Sequence, residues 1–214
     1  MTRSNMISSA PGALLHHPAR YDAKVWLFTF GRSRAFYRRI AGLARLNKGD
    51  HVLDVGCGTG SLAIEARHQV GSGGAVQGID PSDEMLAWAA RKTGKAGLAI
   101  DFLNAAAQEL PFPDAQFDVI LSTLMLHHLG PKPRARCVRE MRRVVKPKGR
   151  VLVVDFTAST RRSGGFLARF HRHGHVAAVD VVSLLIDAGL EIVETGAVGF
   201  GNLHFVLATA PVGA

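Results

Sequence analysis

Between residues 51 and 60 the chain reads HVLDVGCGTG, an apolar strand pattern running straight into glycines at 56, 58 and 60. Glycine there lets the backbone turn sharply and approach a ligand with no side chain in between. The spacing fails the G-x-G-x-x-G fingerprint of dinucleotide loops, because Ser61 stands where the third glycine belongs. A tight turn with no ligand would use the same residues. Farther on, GID ends a second apolar run at Asp80. A carboxylate at the end of that strand can accept both hydroxyls of a ribose, and it can also cap the helix that Pro81 introduces.

The other candidates for chemistry are titratable. His127 and His128 follow a strand-like segment, FDVILS, and histidine exchanges protons near neutral pH, so the pair could serve as a base or simply pack. His171, His173 and His175 alternate farther along, but no cysteine or second ligand group stands near them, so no metal site is expected. Cys57 and Cys137 are the only cysteines, too few for a disulfide framework, which fits a reducing, cytoplasmic setting.

Elements able to position these residues can be read from periodicity. Strand-like runs at 51–55, 75–79, 97–103, 117–122 and 149–156 alternate with helical patterns at 61–70, 82–94, 133–145 and 179–189. Two final strands, 190–200 and 203–210, are so close in sequence that an antiparallel hairpin is expected. The implied architecture is α/β: a doubly wound, mostly parallel, seven-stranded sheet covered on both faces and ending in that hairpin. Ligands of such sheets bind beyond the carboxyl ends of the strands, where HVLDVGCGTG leads.

Residues 1–20 are rich in Ser, Pro, Gly and His and read as a tail; residues 21–214 read as one domain, opening with a helical lid over about 21–47. The net charge of +9 is segregated: residues 1–47 hold eight Lys or Arg against Asp22, and residues 131–172 hold thirteen against Glu140 and Asp155. Such segments can solvate helix faces or gather anionic partners. The first also contains Trp26, Phe28, Phe30, Phe36 and Tyr37, a composition suited either to a lid packed over the site or to peripheral contact with an anionic membrane. Nucleic acid is supported by charge alone.

Taken together, VLDVGCGTG, GIDPSDEML, the segment 105–129 and RRVVKPKGRVLVVD resemble the class I S-adenosylmethionine-dependent methyltransferases, especially those of ubiquinone and menaquinone biosynthesis. The resemblance runs from about Tyr21 to the end and implies a Rossmann-like fold with S-adenosylmethionine as cofactor. It places Gly56, Cys57, Gly58 and Gly60 along the methionine half, Asp54 at its amino group, Asp80 on the ribose, Pro81 and Met85 beside the adenine, and Ser122 near the methyl. The family's usual acidic contact to the adenine falls at Ala106, so Ala107 or Gln108 would have to substitute. Tyr21 would belong to the substrate lid. The chain lacks the Asn/Asp-Pro-Pro-aromatic element of base-amino methyltransferases, the metal-binding acids of the catechol type, and a cysteine placed for cytosine-carbon attack. The expected acceptor is therefore a small hydrophobic molecule, methylated on O, N or C. A lipid or quinone acceptor, an RNA-modifying activity and a cofactor-binding protein without transfer activity stand as alternatives.

Overall fold

The computed structural model describes residues 17–156 and 178–212 of the chain. Its elements are α1 (Pro18–Phe28), α2 (Ser33–Leu43), β1 (His51–Val55), α3 (Ser61–Val70), β2 (Ala75–Asp80), α4 (Asp83–Lys95), β3 (Asp101–Asn104), β4 (Phe117–Thr123), a 3-10 turn (Leu126–His128), α5 (Pro131–Val144), β5 (Val145–Phe156), α6 (Ala178–Asp187), β6 (Glu191–Ala197) and β7 (Leu203–Thr209).

The strands form one sheet in the order β3-β2-β1-β4-β5-β7-β6. β1 pairs in parallel with β2 and β4, while β7 is antiparallel to both β5 and β6, as the strand spacing leads one to expect. After β1 the chain steps outward to β3 and then returns to the other side of β1 as β4. That reversal opens a cleft beyond Val55 and Thr123.

The interior strands are apolar on both faces because both are covered. Leu53, Val55 and Ile120 pack with Val138, Met141 and Leu185 beneath α5 and α6. Val52 and Leu121, from the same two strands, pack on the opposite face with Phe36, Ile40, Leu62 and Ala66 of α2 and α3. Truncating fully buried Ile120 or Leu121 to alanine removes packing on one face only, at a cost of about 2–5 kcal/mol.

Several boundaries differ from the sequence pattern, among them the start of β3 at Asp101 instead of residue 97. The helical lid expected over about 21–47 is broken into α1 and α2, because Phe30 and Gly31 both take positive φ, 51° and 76°. α1 already begins at Pro18, inside the stretch read as tail, where proline fits the first helical turn. β5 begins at Val145 instead of Gly149, since Val145 pairs with Phe117 and the ladder then shifts register before Arg150. Gly149 makes that shift possible: a Cβ there would lie 2.6 Å from Val145 Cγ2 and 3.0 Å from the Asp118 carbonyl. The histidines at 171, 173 and 175 lie outside the described residues.

Candidate functional site

The glycine loop is held by its own backbone. Gly56 and Cys57 both donate N–H bonds to the Ile79 carbonyl at 2.9 Å, and Gly60 donates to Cys57 O at 2.9 Å. Gly58 N–H donates to Asp80 Oδ2 at 3.0 Å, while Asp80 Oδ1 accepts from Ser82 N–H at 3.0 Å. These four loop donors, which a phosphate would need, are therefore already engaged, and two carboxylates, Asp54 and Asp80, face the same loop. An anionic phosphate is the wrong ligand for it.

Glycine is required at 56 and 60 for reasons of space as well as φ, which is 75° and 72°. A Cβ on Gly56 would stand 2.4 Å from Met125 Cγ, and one on Gly60 would stand 2.9 Å from Ala89 Cβ. Cys57 turns its thiol beneath the loop, over Gly78, where burial pushes its pKa well up. Its side chain is thus a packing group.

Asp54 ends in the sheet interior with Oδ2 unpartnered among the described residues. Burial first, and the charge of Asp80 second, push its carboxyl up to about 7, while the Ala63 N–H pulls it down. An unpaired carboxylate in such a place is costly unless a cation or donor meets it. Two further orphans stand at the end of β4, the buried hydroxyls of Ser122 and Thr123. Glycine clearance, the unpartnered Asp54 oxygen and the Asp80 carboxylate fit the ammonium, ribose hydroxyls and sulfonium of S-adenosylmethionine. Met85 is buried in the first turn of α4, which Ser82 caps by accepting from Met85 N–H at 3.3 Å. Pro81 is exposed just before it. Ala106, Ala107 and Gln108 occupy the turn after β3, with Ala106 exposed, Ala107 buried and Gln108 half-buried.

On the other wall, His127 Nδ1 lies 2.7 Å from Asp155 Oδ1, and the His127 N–H donates to Asp155 Oδ2 at 3.1 Å. Asp155 is buried near the end of β5, and the His127 side chain is 13% exposed. The imidazole is wedged between His128, 4.0 Å away centre to centre, and the edge-on ring of Phe156 at 5.3 Å. Sequence reading marks both histidines and misses Asp155. Its position near the end of a strand adjoining β4 is the signal that would have found it.

α1 closes over the loop through Asp22, another residue the sequence does not single out. Asp22 accepts from Thr59 Oγ1 at 2.6 Å, Trp88 Nε1 at 2.9 Å and Lys92 Nζ at 3.2 Å. One turn is enough to bring Tyr21 within 4.0 Å of a Cβ placed on Gly58. Desolvation first, with Asp22 second, raises the Tyr21 hydroxyl to about 12, so it stays protonated. A cavity of about 710 Å³ opens between α1, α2, α3 and α4, bounded by Asp22, Trp26, Tyr37, Ser61, Glu65 and Lys92. Asp54, Asp80, His127 and Asp155 do not line it, so the chemistry belongs to the cleft.

Comparisons with known proteins agree with this geometry. A family model described as a methyltransferase domain matches residues 52–149. The 2-phytyl-1,4-beta-naphthoquinone methyltransferase of Arabidopsis thaliana chloroplasts is 36% identical over 151 residues, covering 69% of this chain and 57% of that protein. The ubiquinone/menaquinone biosynthesis C-methyltransferase UbiE of Pseudoalteromonas translucida is 37% identical over 141 residues, covering 65% and 55%. The chain thus spans little more than half the length of these relatives. The crystal structure of a SAM dependent methyltransferase from Aquifex aeolicus superposes with a TM-score of 0.73 at 25% identity, over 90% of this chain and 98% of that one. The chain belongs to the class I S-adenosylmethionine-dependent methyltransferases.

Proposed function

We propose that the protein methylates a small aromatic acceptor bearing an ionisable hydroxyl, of the quinol or phenol type. The observation that carries this reading is the His127–Asp155 pair at 2.7 Å, set beside the loop fitted to the methyl donor. Bound S-adenosylmethionine supplies a methyl carbon on a sulfonium, and the carbon–sulfur bond breaks toward sulfur as the acceptor's oxygen or ring carbon takes the methyl. Asp54 would hold the donor's ammonium and Asp80 its ribose hydroxyls, with the unpartnered Ser122 hydroxyl at the end of β4 on the cleft wall. Asp155 occupies Nδ1 of His127 and so fixes the tautomer that leaves Nε2 free to accept the acceptor's hydroxyl proton. One proton leaves the acceptor overall, whether oxygen or carbon is methylated. Quinone-directed names among the relatives support the same acceptor class.

The test is methyl transfer from labelled S-adenosylmethionine across a panel of hydroquinones, phenols and amines. Hydroquinones or phenols should be methylated, and His127→Ala should lower kcat. Methylation confined to amines, or turnover unaltered in His127→Ala, would overturn the reading.

A further inference from the structure

The N-terminal aromatic segment divides in a way that composition does not predict. Phe36 and Tyr37 are buried on α2, and Phe28, 37% exposed, sets its ring edge-on to Phe36 at 6.4 Å, whereas Trp26 is 58% exposed, Leu27 70% and Phe30 91%. Tyr21, Val25 and Thr29 recur at every fourth position on the inward face, and Thr29 seals it by donating to the Val25 carbonyl at 2.8 Å. Leu27 on the opposite face of α1 and Phe30 in the following turn therefore carry the apolar tip, with Trp26 on its flank beside the cavity.

Phe30 sharpens the point. Its φ of 51° is a strained setting for a bulky residue, and the ring it carries meets mostly water. A substitution to glycine would relieve the strain, so packing of the free protein does not account for phenylalanine here. Around this tip stand Arg20, Lys24 and Arg32, exposed and without an ion pair among the described residues. Arg20 and Lys24 are four residues apart, with Phe28 four farther on, which lines two cations along the helix behind the tip.

We infer that the α1 tip docks on an anionic phospholipid bilayer, with Leu27 and Phe30 entering the acyl boundary, Trp26 at headgroup depth, and Arg20, Lys24 and Arg32 on the lipid phosphates. The cations match the charge of such a surface, and an indole flanked by apolar side chains suits its interface. Leu27 decides between a bilayer and single-stranded nucleic acid: an aliphatic side chain gains by entering hydrocarbon and offers no ring on which a base could stack. Among the described residues no helix is long and apolar enough to cross a membrane, so this contact is peripheral. The inference goes beyond the methyl-transfer reading and does not rest on it.

The full chain is to be sedimented with vesicles of phosphatidylglycerol and phosphatidylcholine, and with phosphatidylcholine alone, at low and high salt. Binding should require the anionic lipid and weaken with salt, and brominated acyl chains should quench tryptophan emission. Leu27→Ser with Phe30→Gly should lower partitioning more than about tenfold, with a melting temperature no lower than that of Phe30→Ser alone. Neutralising Arg20, Lys24 and Arg32 to Gln should lower it about fivefold per charge. Wild-type protein left in the supernatant with anionic vesicles would overturn the proposal. So would unaltered binding by the folded Leu27/Phe30 variant, or binding to single-stranded RNA in place of vesicles.

Discussion

The loop after β1 and the turn after β4 leave adjacent strands at the same end of the sheet, but they are built by opposite means. The first is shaped by backbone: glycines at positive φ, N–H groups spent on Ile79, Cys57 and Asp80, and little side chain in the way. The second is shaped by side chains: Met125 over Gly56, and His127 anchored to Asp155 at a separation of 28 residues. A backbone cradle suits a ligand that is always the same. A side-chain wall can be altered residue by residue to suit different acceptors without disturbing the donor.

That division can be broken experimentally. The largest effect is expected for His127→Ala, which should lower kcat by about 10²–10⁴ while leaving S-adenosylmethionine affinity intact by calorimetry. Asp155→Asn should follow it with a smaller loss in kcat, because the ring loses the carboxylate that orients it. Asp80→Ala should do the reverse. Losing a charged partner of two N–H groups should weaken donor binding by about 10²-fold, and turnover at saturating donor should suffer less.

Next in size, Gly56→Ala should destabilise by about 2–4 kcal/mol, since the clash with Met125 adds to the left-handed φ. Gly58→Ala has a similar φ sign but its Cβ meets only Tyr21 at 4.0 Å, so about 1 kcal/mol is expected. Thermal melts of the two variants would test whether crowding from the acceptor side reaches the donor loop. Equal losses would mean that it does not.

The smallest prediction concerns protons. The folded protein holds the Asp54 proton up to about pH 7, where the unfolded chain releases it near 3.8. Stability without ligand should therefore fall as pH rises from about 4 to about 7, and Asp54→Asn should flatten that fall. A cationic donor favours the charged carboxylate, so its binding near pH 6.5 should release a proton, read from calorimetry in buffers of different ionisation heat. Proton release that persists in Asp54→Asn would assign it elsewhere.

The same division explains what the sequence makes legible. Strand and helix periods, the switch point and the glycine loop are local signals, and Asp80 follows the loop at the interval such folds use. His127 is visible as a residue type, but Asp155 is one acidic residue in an apolar strand until β4 and β5 are placed side by side. Asp22 is equally silent, because Thr59, Trp88 and Lys92 come to it from distances of 37, 66 and 70 residues. The break between α1 and α2 escapes for another reason. Its apolar residues continue the helical pattern, and only the positive φ of Phe30 and Gly31 interrupts it.

The strand order carries a consequence for how the molecule is made. β1, β2, β3 and β4 are neighbours in space and are complete by Thr123, so the donor cradle can assemble while the chain is still being synthesised. β5 gains its second neighbour only from β7, whose register sets His204 opposite Asp155 and which follows only after α6 and β6. Such long-range pairing is slow to nucleate. Until β7 is added, the strand that carries Asp155 therefore has an open edge beside an already complete β1–β4 ladder.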